Sequence, residues 1–261
     1  MRAVHAAARV FVIVLLAGCG GSSAPLAAGE RRLALQTEDG LQVAATLYPV
    51  PAAQPPGLIL AHRYGADAVS WRSFALAAQQ EGYQVIAVDL RGHGSSTQRG
   101  EGRLDYRDVS GVEWLAAVAD LRAARDALLA AGTDPENLAV LGEGLGANLA
   151  LRYMRIDPVI QAAVMVSPVL DEYGFDSEAD VRALRARPVL LVAAENDGPA
   201  AGAATALKQT APGFSELRLY PGAASGTDVL AASEAAQVQV LGWLQAIIGK
   251  RLAAGAGTPG S

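Results

Sequence analysis

Short apolar runs alternate with amphipathic segments along most of this chain, and this alternation restricts the possible folds more than any other feature. The runs are far too short to span a membrane and are bounded by polar or glycine-containing turns, as expected of buried strands. Strands that alternate with helices predict an α/β fold with a mostly parallel sheet covered on both faces. The expected strands are residues 57–62, 84–89, 138–141, 159–166, 188–192 and 216–220, preceded by a hairpin over 33–36 and 41–48.

Helix signals occupy the segments between these strands. Ser70 is a candidate N-cap for a helix over 71–80, and Ser110 with Glu113 forms a capping box that opens a helix through residue 129. Further helices are expected at 145–153, 178–184, 200–208 and 227–248. The connection over 168–187 is too short to add a lid domain.

The composition indicates one globular domain, which we place at residues 31–249. Of the 261 residues, 51% are hydrophobic and 18% are charged, which supplies a sizeable core. The formal net charge is −5 and no long basic run occurs, so nucleic acid is not an expected partner. The sequence also has neither a metal-ligand spacing nor a phosphate-binding glycine loop, so we expect no metal and no cofactor.

The N-terminus carries features of an export signal. Arg2 and Arg9 precede an apolar stretch over 10–17, and Leu16-Ala17-Gly18-Cys19 resembles the lipobox of bacterial lipoproteins. We therefore expect a signal peptide over 1–18, lipid attachment to Cys19 and a membrane-anchored protein. An ordinary signal peptide with an incidental cysteine is the alternative.

The segments that flank the domain are small and polar. Residues 19–30 suit a flexible tether, and residues 250–261 a disordered tail. Gly20, and not aspartate, follows Cys19. By resemblance to proteobacterial sorting rules, this favours the periplasmic side of the outer membrane if the source is Gram-negative.

Two turns in the N-terminal half carry a family resemblance. His62-Arg63-Tyr64-Gly65 follows the strand over 57–62, and Asp89-Leu90-Arg91-Gly92-His93-Gly94-Ser95-Ser96 follows the next strand. This H-x-x-G and D-x-R-G-H-G-x-S pair resembles the α/β-hydrolase fold, particularly small bacterial enzymes of the dienelactone-hydrolase and serine-aminopeptidase kind. The resemblance covers residues 33–248 and implies a Ser, Asp, His triad in that chain order.

The resemblance implies that two of the three triad members are missing. The nucleophile position of the strand–G-x-S-x-G–helix turn falls on Gly144, and the histidine position falls on Ser225. The acid position falls on Asp197, which is retained. No histidine lies beyond His93. Since a nucleophile needs a base and the base needs an orienting acid, Asp197 alone does not supply the chemistry.

Four side chains have competing interpretations. Asp197 is either a residual triad acid or a loop carboxylate that caps the following helix. Glu143 is a hypothetical base for water, although we expect it to be solvated or at a pocket rim. Ser167 is a hypothetical displaced nucleophile, although a serine there more often satisfies backbone groups. His93 is either a group that takes part in the chemistry or, as we expect, a side chain that hydrogen-bonds within its turn.

The oxyanion hole depends on backbone donors that survive side-chain loss. The resemblance places these donors at Leu145 and at Arg63 or Tyr64. The pocket could therefore still hold a small molecule with a carbonyl or carboxylate.

Three functions follow from these residues. The first is an inactive hydrolase-fold protein that works as a ligand-binding or interaction module in the cell envelope. The second is an active hydrolase of esters or amides with a non-standard site. The third is a diverged paralogue without a ligand, which a pocket filled by side chains would favour. The fold alone does not choose among them.

Overall fold

The computed structural model describes residues 29–249, in which ten strands and eight α-helices follow one another in α/β order. The strands are β1 (Arg31–Gln36), β2 (Leu41–Tyr48), β3 (Gly57–Ala61), β4 (Gln84–Val88), β5 (Gln98–Arg99), β6 (Gly102–Arg103), β7 (Leu138–Glu143), β8 (Ile160–Val166), β9 (Val189–Ala194) and β10 (Ser215–Tyr220). The helices are α1 (Arg72–Gln80), α2 (Gly111–Ala116), α3 (Val118–Ala130), α4 (Leu145–Ile156), α5 (Ser177–Ala183), α6 (Gly198–Thr210), α7 (Asp228–Ala231) and α8 (Glu234–Ile247).

The strands form a single twisted sheet in the order β10-β9-β8-β7-β3-β4-β2-β5-β6, with β1 paired to β2. All neighbours from β10 to β4 are parallel, whereas β2 is antiparallel to β4 and closes the predicted hairpin with β1. Strands β3, β4, β7 and β9 are buried along their whole length, which matches their continuous apolar sequence.

Two apolar layers cover the sheet. Side chains of α3, α4 and α6 pack on one face, and those of α1, α7 and α8 pack on the other. The predicted α/β class with helices on both faces is therefore confirmed. The connection from β8 to β9 contains the short helix α5 and forms no separate layer.

Two predicted helices are each divided in the structure. The helix expected over 110–129 begins at the predicted Ser110 cap, whose Oγ accepts a hydrogen bond from the Glu113 amide, but it is interrupted at Ala117. The helix expected over 227–248 is interrupted before Ser233, which caps α8 by accepting from the Ala236 amide. A serine cap inside an otherwise helical pattern offers the backbone a competing partner, which explains the second break.

The expected signal peptide, the lipidated Cys19 and the tail over 250–261 lie outside the described residues. At the domain boundary, Glu30 is buried and its carboxylate accepts a 3.0 Å hydrogen bond from Arg72 Nε. Glu30 was expected to end the tether, but this contact makes it part of the domain. None of the helices within residues 29–249 is long and apolar enough to cross a bilayer.

Candidate functional site

Gly144 stands at the apex of the turn between β7 and α4. Its backbone has φ 52° and ψ −119°, and its amide donates to the Val166 carbonyl at 3.1 Å. A side chain on Gly142 would collide with the carbonyl of Gly146, and one on Gly146 would collide with the carbonyl of Ala61. The flanking glycines are thus required by close packing, and the turn keeps a positive φ without the strain that a serine would add.

Arg63 lies directly against this turn. Its Cβ is 3.2 Å from the position that a Cβ on Gly144 would occupy, and its guanidinium Nη1 donates to Glu143 Oε2 at 3.2 Å. The same Nη1 lies 3.3 Å from the Cβ position of Gly226, which follows Ser225. The Arg63 side chain therefore extends from Gly144 to the loop that carries Ser225 and Gly226, and 48% of it stays exposed.

Glu143 is buried beneath Arg63. Its Oε1 accepts from Ser70 Oγ at 2.7 Å, and its Oε2 accepts from the Thr227 amide at 2.7 Å in addition to Arg63. The side chain has no exposed surface, so the expectation of a solvated or rim position is wrong. A carboxylate with both oxygens engaged and no access to solvent is not placed to activate water.

Ser70 also departs from the sequence prediction. It lies in a 3₁₀ turn, Ala68–Trp71, whose N-cap is Asp67, and Trp71 precedes α1 without a side-chain cap. The hydroxyl of Ser70 is directed to Glu143 instead, because the buried carboxylate needs a donor. Sequence reasoning had no signal for this contact, since the two residues are 73 positions apart.

The loop after β10 is held to the rest of the site by backbone groups. The Gly226 amide donates to Ser167 Oγ at 2.9 Å, and the next amide, that of Thr227, donates to Glu143. Ser167 thus satisfies a backbone group, as expected of a serine at a strand end, and it does so with φ 46°. Ser225, at the histidine position, is exposed.

Asp197 follows β9, the strand next to β10. It occupies the N-cap position of α6 but makes no side-chain capping bond there. Its Oδ2 is buried and has no hydrogen-bond partner within residues 29–249. The adjacent Asn196 amide donates to the Gly222 carbonyl at 2.9 Å, which joins the loops after β9 and β10. The Oδ2 atom of Asp197 therefore accepts no hydrogen bond from the described residues around it.

The backbone donors expected for an oxyanion lie at the same edge of the sheet. Leu145 is the first residue of α4, so its N–H has no acceptor within the helix. Arg63 and Tyr64 follow β3, whose turn is fixed by His62: Nε2 accepts from the Leu90 amide at 2.9 Å, and Nδ1 donates to the Arg63 carbonyl at 2.7 Å. Leu145 and Arg63 therefore belong to two turns, one after β7 and one after β3, that meet at Gly144.

His93 has a structural role in this arrangement. Its Nε2 accepts from the Gly65 amide at 3.0 Å, so Nδ1 carries the proton toward the Arg91 carbonyl at 3.2 Å. The ring therefore bonds both within its own turn, as expected, and across to the turn after β3. Burial and the neighbouring His62 ring lower the pKa of His93 to about 4, and burial also lowers the pKa of His62.

A buried ion pair supports the turn after β4. Arg91 has no exposed side-chain surface and its Nη2 donates to Asp120 Oδ1 at 2.7 Å, while Nη1 donates to Asp39 Oδ2 at 2.9 Å. The Arg91 amide also donates to Asp120 Oδ2. This network fixes the backbone that carries His93.

An aromatic cluster fills the space beside the turn after β3. The Tyr64 ring stacks on Tyr173 at 5.1 Å between centroids and meets Tyr106 edge to face at 4.9 Å. Tyr106 in turn stacks on His93 at 4.3 Å, and Trp114 lies beneath Tyr64 and Tyr173. The rings come from four separate segments, so their meeting had no signature in the sequence.

The described residues contain no group of three or more His, Cys, Asp or Glu side chains that could hold a metal ion. The polar groups around Gly144 are an arginine, backbone amides and carboxylates that accept from nearby donors. Such a set can bind a polar organic group, while Gly144 has no hydroxyl and Ser225 no imidazole at the positions that the sequence resemblance assigns to the nucleophile and the base.

Comparison with known structures finds the same fold in several hydrolases. An α/β hydrolase from Penicillium sp. sh18, GrgF, aligns with a TM-score of 0.72 at 16% identity, over 84% of this chain and 99% of that one. A dienelactone hydrolase from Anabaena variabilis aligns with a TM-score of 0.65 at 17% identity over the same shares. An acetyl xylan esterase from Paenibacillus sp. R4 aligns with a TM-score of 0.69 at 17% identity, over 92% of this chain and 88% of that one. These identities establish the fold alone.

The sequence comparison is more specific. No curated protein matches the chain. The family described as serine aminopeptidase, S33, matches residues 55–187, a range that includes the turn after β3, the turn after β4 and Gly144. Asp197 and Ser225 lie beyond that range. From this match and from the observed fold, the chain belongs to the serine aminopeptidase S33 family of α/β hydrolases.

Proposed function

We propose that this protein is a lipid-anchored member of its family that has lost serine-hydrolase catalysis and works as a ligand-binding or interaction module in the cell envelope. One observation carries the loss of catalysis: the nucleophile position is Gly144, in a positive-φ turn with no side chain. Removing triad members in a well-studied protease leaves only about 10³- to 10⁴-fold acceleration over water. That is little beside the roughly 10⁶-fold or more of typical enzymes.

Ligand binding is supported by the polar groups that remain around Gly144. The guanidinium of Arg63 is half-exposed, and the first amide of α4, at Leu145, has no intrahelical acceptor. A guanidinium beside backbone N–H donors suits a carbonyl or carboxylate on a small molecule. The Arg63 side chain also extends across the space between Gly144 and Gly226, and this filling by a side chain favours the third function, a diverged paralogue without a ligand.

A hydrolase with a non-standard site is the second candidate, and the Ser70–Glu143 pair favours it. A hydroxyl 2.7 Å from a carboxylate that is itself held by other groups has the general form of an activated nucleophile. Two contacts weigh against it. Ser70 Oγ also lies 3.0 Å from the Asp67 carbonyl, and Arg63 offsets the charge of the carboxylate that would have to accept the proton.

The test is labelling of the purified full-length chain with a fluorophosphonate probe, together with a broad panel of ester substrates. The proposal expects no covalent label and turnover near the background rate. Saturable labelling that disappears in Ser70→Ala but persists in Ser167→Ala would establish the second candidate. Activity that survives Ser70→Ala, Ser167→Ala and Glu143→Gln would overturn both, because it would require a catalytic group that neither candidate contains.

The envelope location is supported by the sequence around Cys19. Leu16-Ala17-Gly18-Cys19 follows a short apolar stretch, and Cys19 is the single cysteine of the chain. A short polar segment then separates it from Glu30, where the domain begins. This order of signal, lipid-accepting cysteine, tether and domain is that of a bacterial lipoprotein.

A further inference from the structure

A polar cleft opens beside the site, on the far side of Ser70 from Glu143. The turn after β3 and the turn after β4 form its two sides, and residues 103–106 form a wall. Its volume is about 380 Å³, toward the lower end of the roughly 300–1,000 Å³ found for small-molecule sites. Gly144, Asp197 and Ser225 do not line it, so it is distinct from the inherited triad region.

The lining supplies hydroxyl groups, charges of both signs and an aromatic ring. Ser70 and Thr97 contribute hydroxyls, Asp67 and Asp105 contribute carboxylates, and Arg103 contributes a guanidinium. The two carboxylates would repel an anionic ligand, and the guanidinium would repel a compact cation. A neutral ligand that both donates and accepts hydrogen bonds satisfies all of them, because each of its hydroxyls can donate to a carboxylate and accept from Arg103.

Most of this lining is already fixed by contacts within the protein. Asp105 accepts from the Arg107 amide at 3.0 Å and from Arg107 Nη2 at 2.6 Å, and these bonds hold its pKa below the ordinary range, so it is ionised. Asp67 accepts from the Val69 amide at 2.9 Å. A site that is ordered before binding loses less entropy when a ligand arrives.

Arg103 is the exception to this internal pairing. Its side chain is exposed and forms no ion pair within 4.0 Å among residues 29–249, although its charge helps to lower the pKa of Asp105. Tyr106, half-buried on the same wall, stacks on His93, and the Arg107 guanidinium carbon lies 5.8 Å from the centre of its ring. A guanidinium without an ion-pair partner, in the same cleft as two carboxylates, suits a ligand that carries several hydroxyls.

We propose that this cleft binds a neutral, hydroxyl-rich ligand whose size, set by the cleft volume, is about that of a pyranose sugar, with Asp67, Arg103 and Asp105 as its polar contacts. The inference goes beyond the proposed function and is independent of its outcome, since the cleft shares no residue with the lost triad. Ser70 joins the two regions, because its Oγ lines the cleft and donates to Glu143.

The experiment is a titration of the full-length chain with methyl β-glucoside, methyl β-xyloside and N-acetylglucosamine. Binding is measured by calorimetry or by ligand-observed NMR. We expect saturable binding of at least one of these sugars with a Kd of about 1 mM or below. Arg103→Gln and Asp105→Asn should each weaken it about tenfold, the effect of losing one charged hydrogen bond. Arg103 is exposed and unpaired, so Arg103→Gln is not expected to disturb folding.

Two matched variants serve as controls. Asp108→Asn removes a carboxylate from the same loop, and Arg32→Gln removes an exposed arginine on β1, and neither residue lines the cleft. The absence of saturable binding by every sugar would overturn the proposal. So would equal weakening by the lining and control variants, or Arg103-dependent binding of acetate in place of sugar.

Discussion

Arg63 Cβ lies 3.2 Å from the point at which a side chain on Gly144 would begin. The absence of a side chain at Gly144 and the placement of Arg63 are therefore linked, because a serine at Gly144 would press on the arginine that borders it. The guanidinium of the same residue reaches the Glu143 carboxylate and the backbone of Gly226. The ion pair between Arg63 and Glu143 therefore borders the turn at Gly144.

Gly144→Ser should lower the free energy of unfolding by about 1–3 kcal/mol, the cost of placing a residue with a side chain in a strained backbone conformation. The backbone there has φ 52°, and Arg63 must also move by a few tenths of an ångström. Urea denaturation measures the effect. Gly202→Ser is the matched control, since that glycine lies within α6 with open space around its Cβ position and should tolerate the change. Equal stabilities for the two variants would contradict the strain argument.

Restoring the triad should require Arg63 to be removed as well. Gly144→Ser with Ser225→His supplies the two missing groups, and Asp197 Oδ2 has an unused acceptor for the new histidine. Arg63→Gly clears the space between them. We expect fluorophosphonate labelling of the triple variant and little of the double variant, because Arg63 in the double variant still lies between the new serine and the loop of the new histidine.

Asp197→Asn in the triple variant is the control and should abolish the labelling. A triple variant whose crystal structure places the new serine, the new histidine and Asp197 beyond hydrogen-bonding distance would refute the assignment of these positions. Good triad geometry without labelling would instead show that the oxyanion donors have moved.

Glu143→Gln should destabilise the domain by about 1–3 kcal/mol, because an amide offers one oxygen where the carboxylate now accepts from Ser70, Arg63 and Thr227. Thermal or urea denaturation gives the value. Glu172→Gln, an exposed glutamate, is the control and should be neutral. A neutral Glu143→Gln would mean that the carboxylate does not hold the three segments together.

The parts of the fold that depend on local pattern could be predicted from the sequence. Buried strands such as β3, β4 and β9 are continuous apolar runs, and the Ser110 cap precedes α2 where the capping box placed it. The hairpin of β5 and β6 was missed because strands of two residues have no measurable periodicity. The breaks before α3 and α8 were missed because the helical pattern continues across them.

In the candidate site, too, local features could be predicted from the sequence and long-range contacts could not. The turn at Gly144 is local and was located from its glycines. The environment of Glu143 is not local, since its partners Ser70, Arg63 and Thr227 lie 73, 80 and 84 positions away. No spacing rule in one sequence connects residues at such separations. Only the sheet order, which places the ends of β3, β7 and β10 at one edge, brings them together.

The anchoring prediction concerns Cys19. Cys19→Ala should prevent incorporation of labelled fatty acid and release the protein from the membrane fraction, because the thiol is the expected site of lipid attachment. Cys19→Ser, of nearly the same size, should behave in the same way. Unchanged membrane association of both variants would refute the lipoprotein assignment.

The stability of the domain should fall on acidification through the titration of His93. The folded-state pKa is about 4 and the ordinary value is 6.5, so between these values the unfolded chain binds a proton that the folded protein excludes. The contribution is therefore complete above about pH 6.5 and is lost as the pH falls toward 4. A pKa difference of this size corresponds to about 3 kcal/mol in the free energy of unfolding.

The physical reason is that Nε2 of His93 accepts from the Gly65 amide, so protonation would place two donors face to face. His62, whose pKa is also lowered, acts in the same direction, whereas burial raises the pKa of Asp89 and Asp120, which acts in the opposite direction.

The measurement is the free energy of unfolding in urea from pH 7.5 to about 4, for the native chain and for His93→Gln. The glutamine variant should be less stable at pH 7.5, and its loss of stability on acidification should be smaller by about 3 kcal/mol. Parallel pH profiles for the two proteins would show that His93 is not the group that titrates.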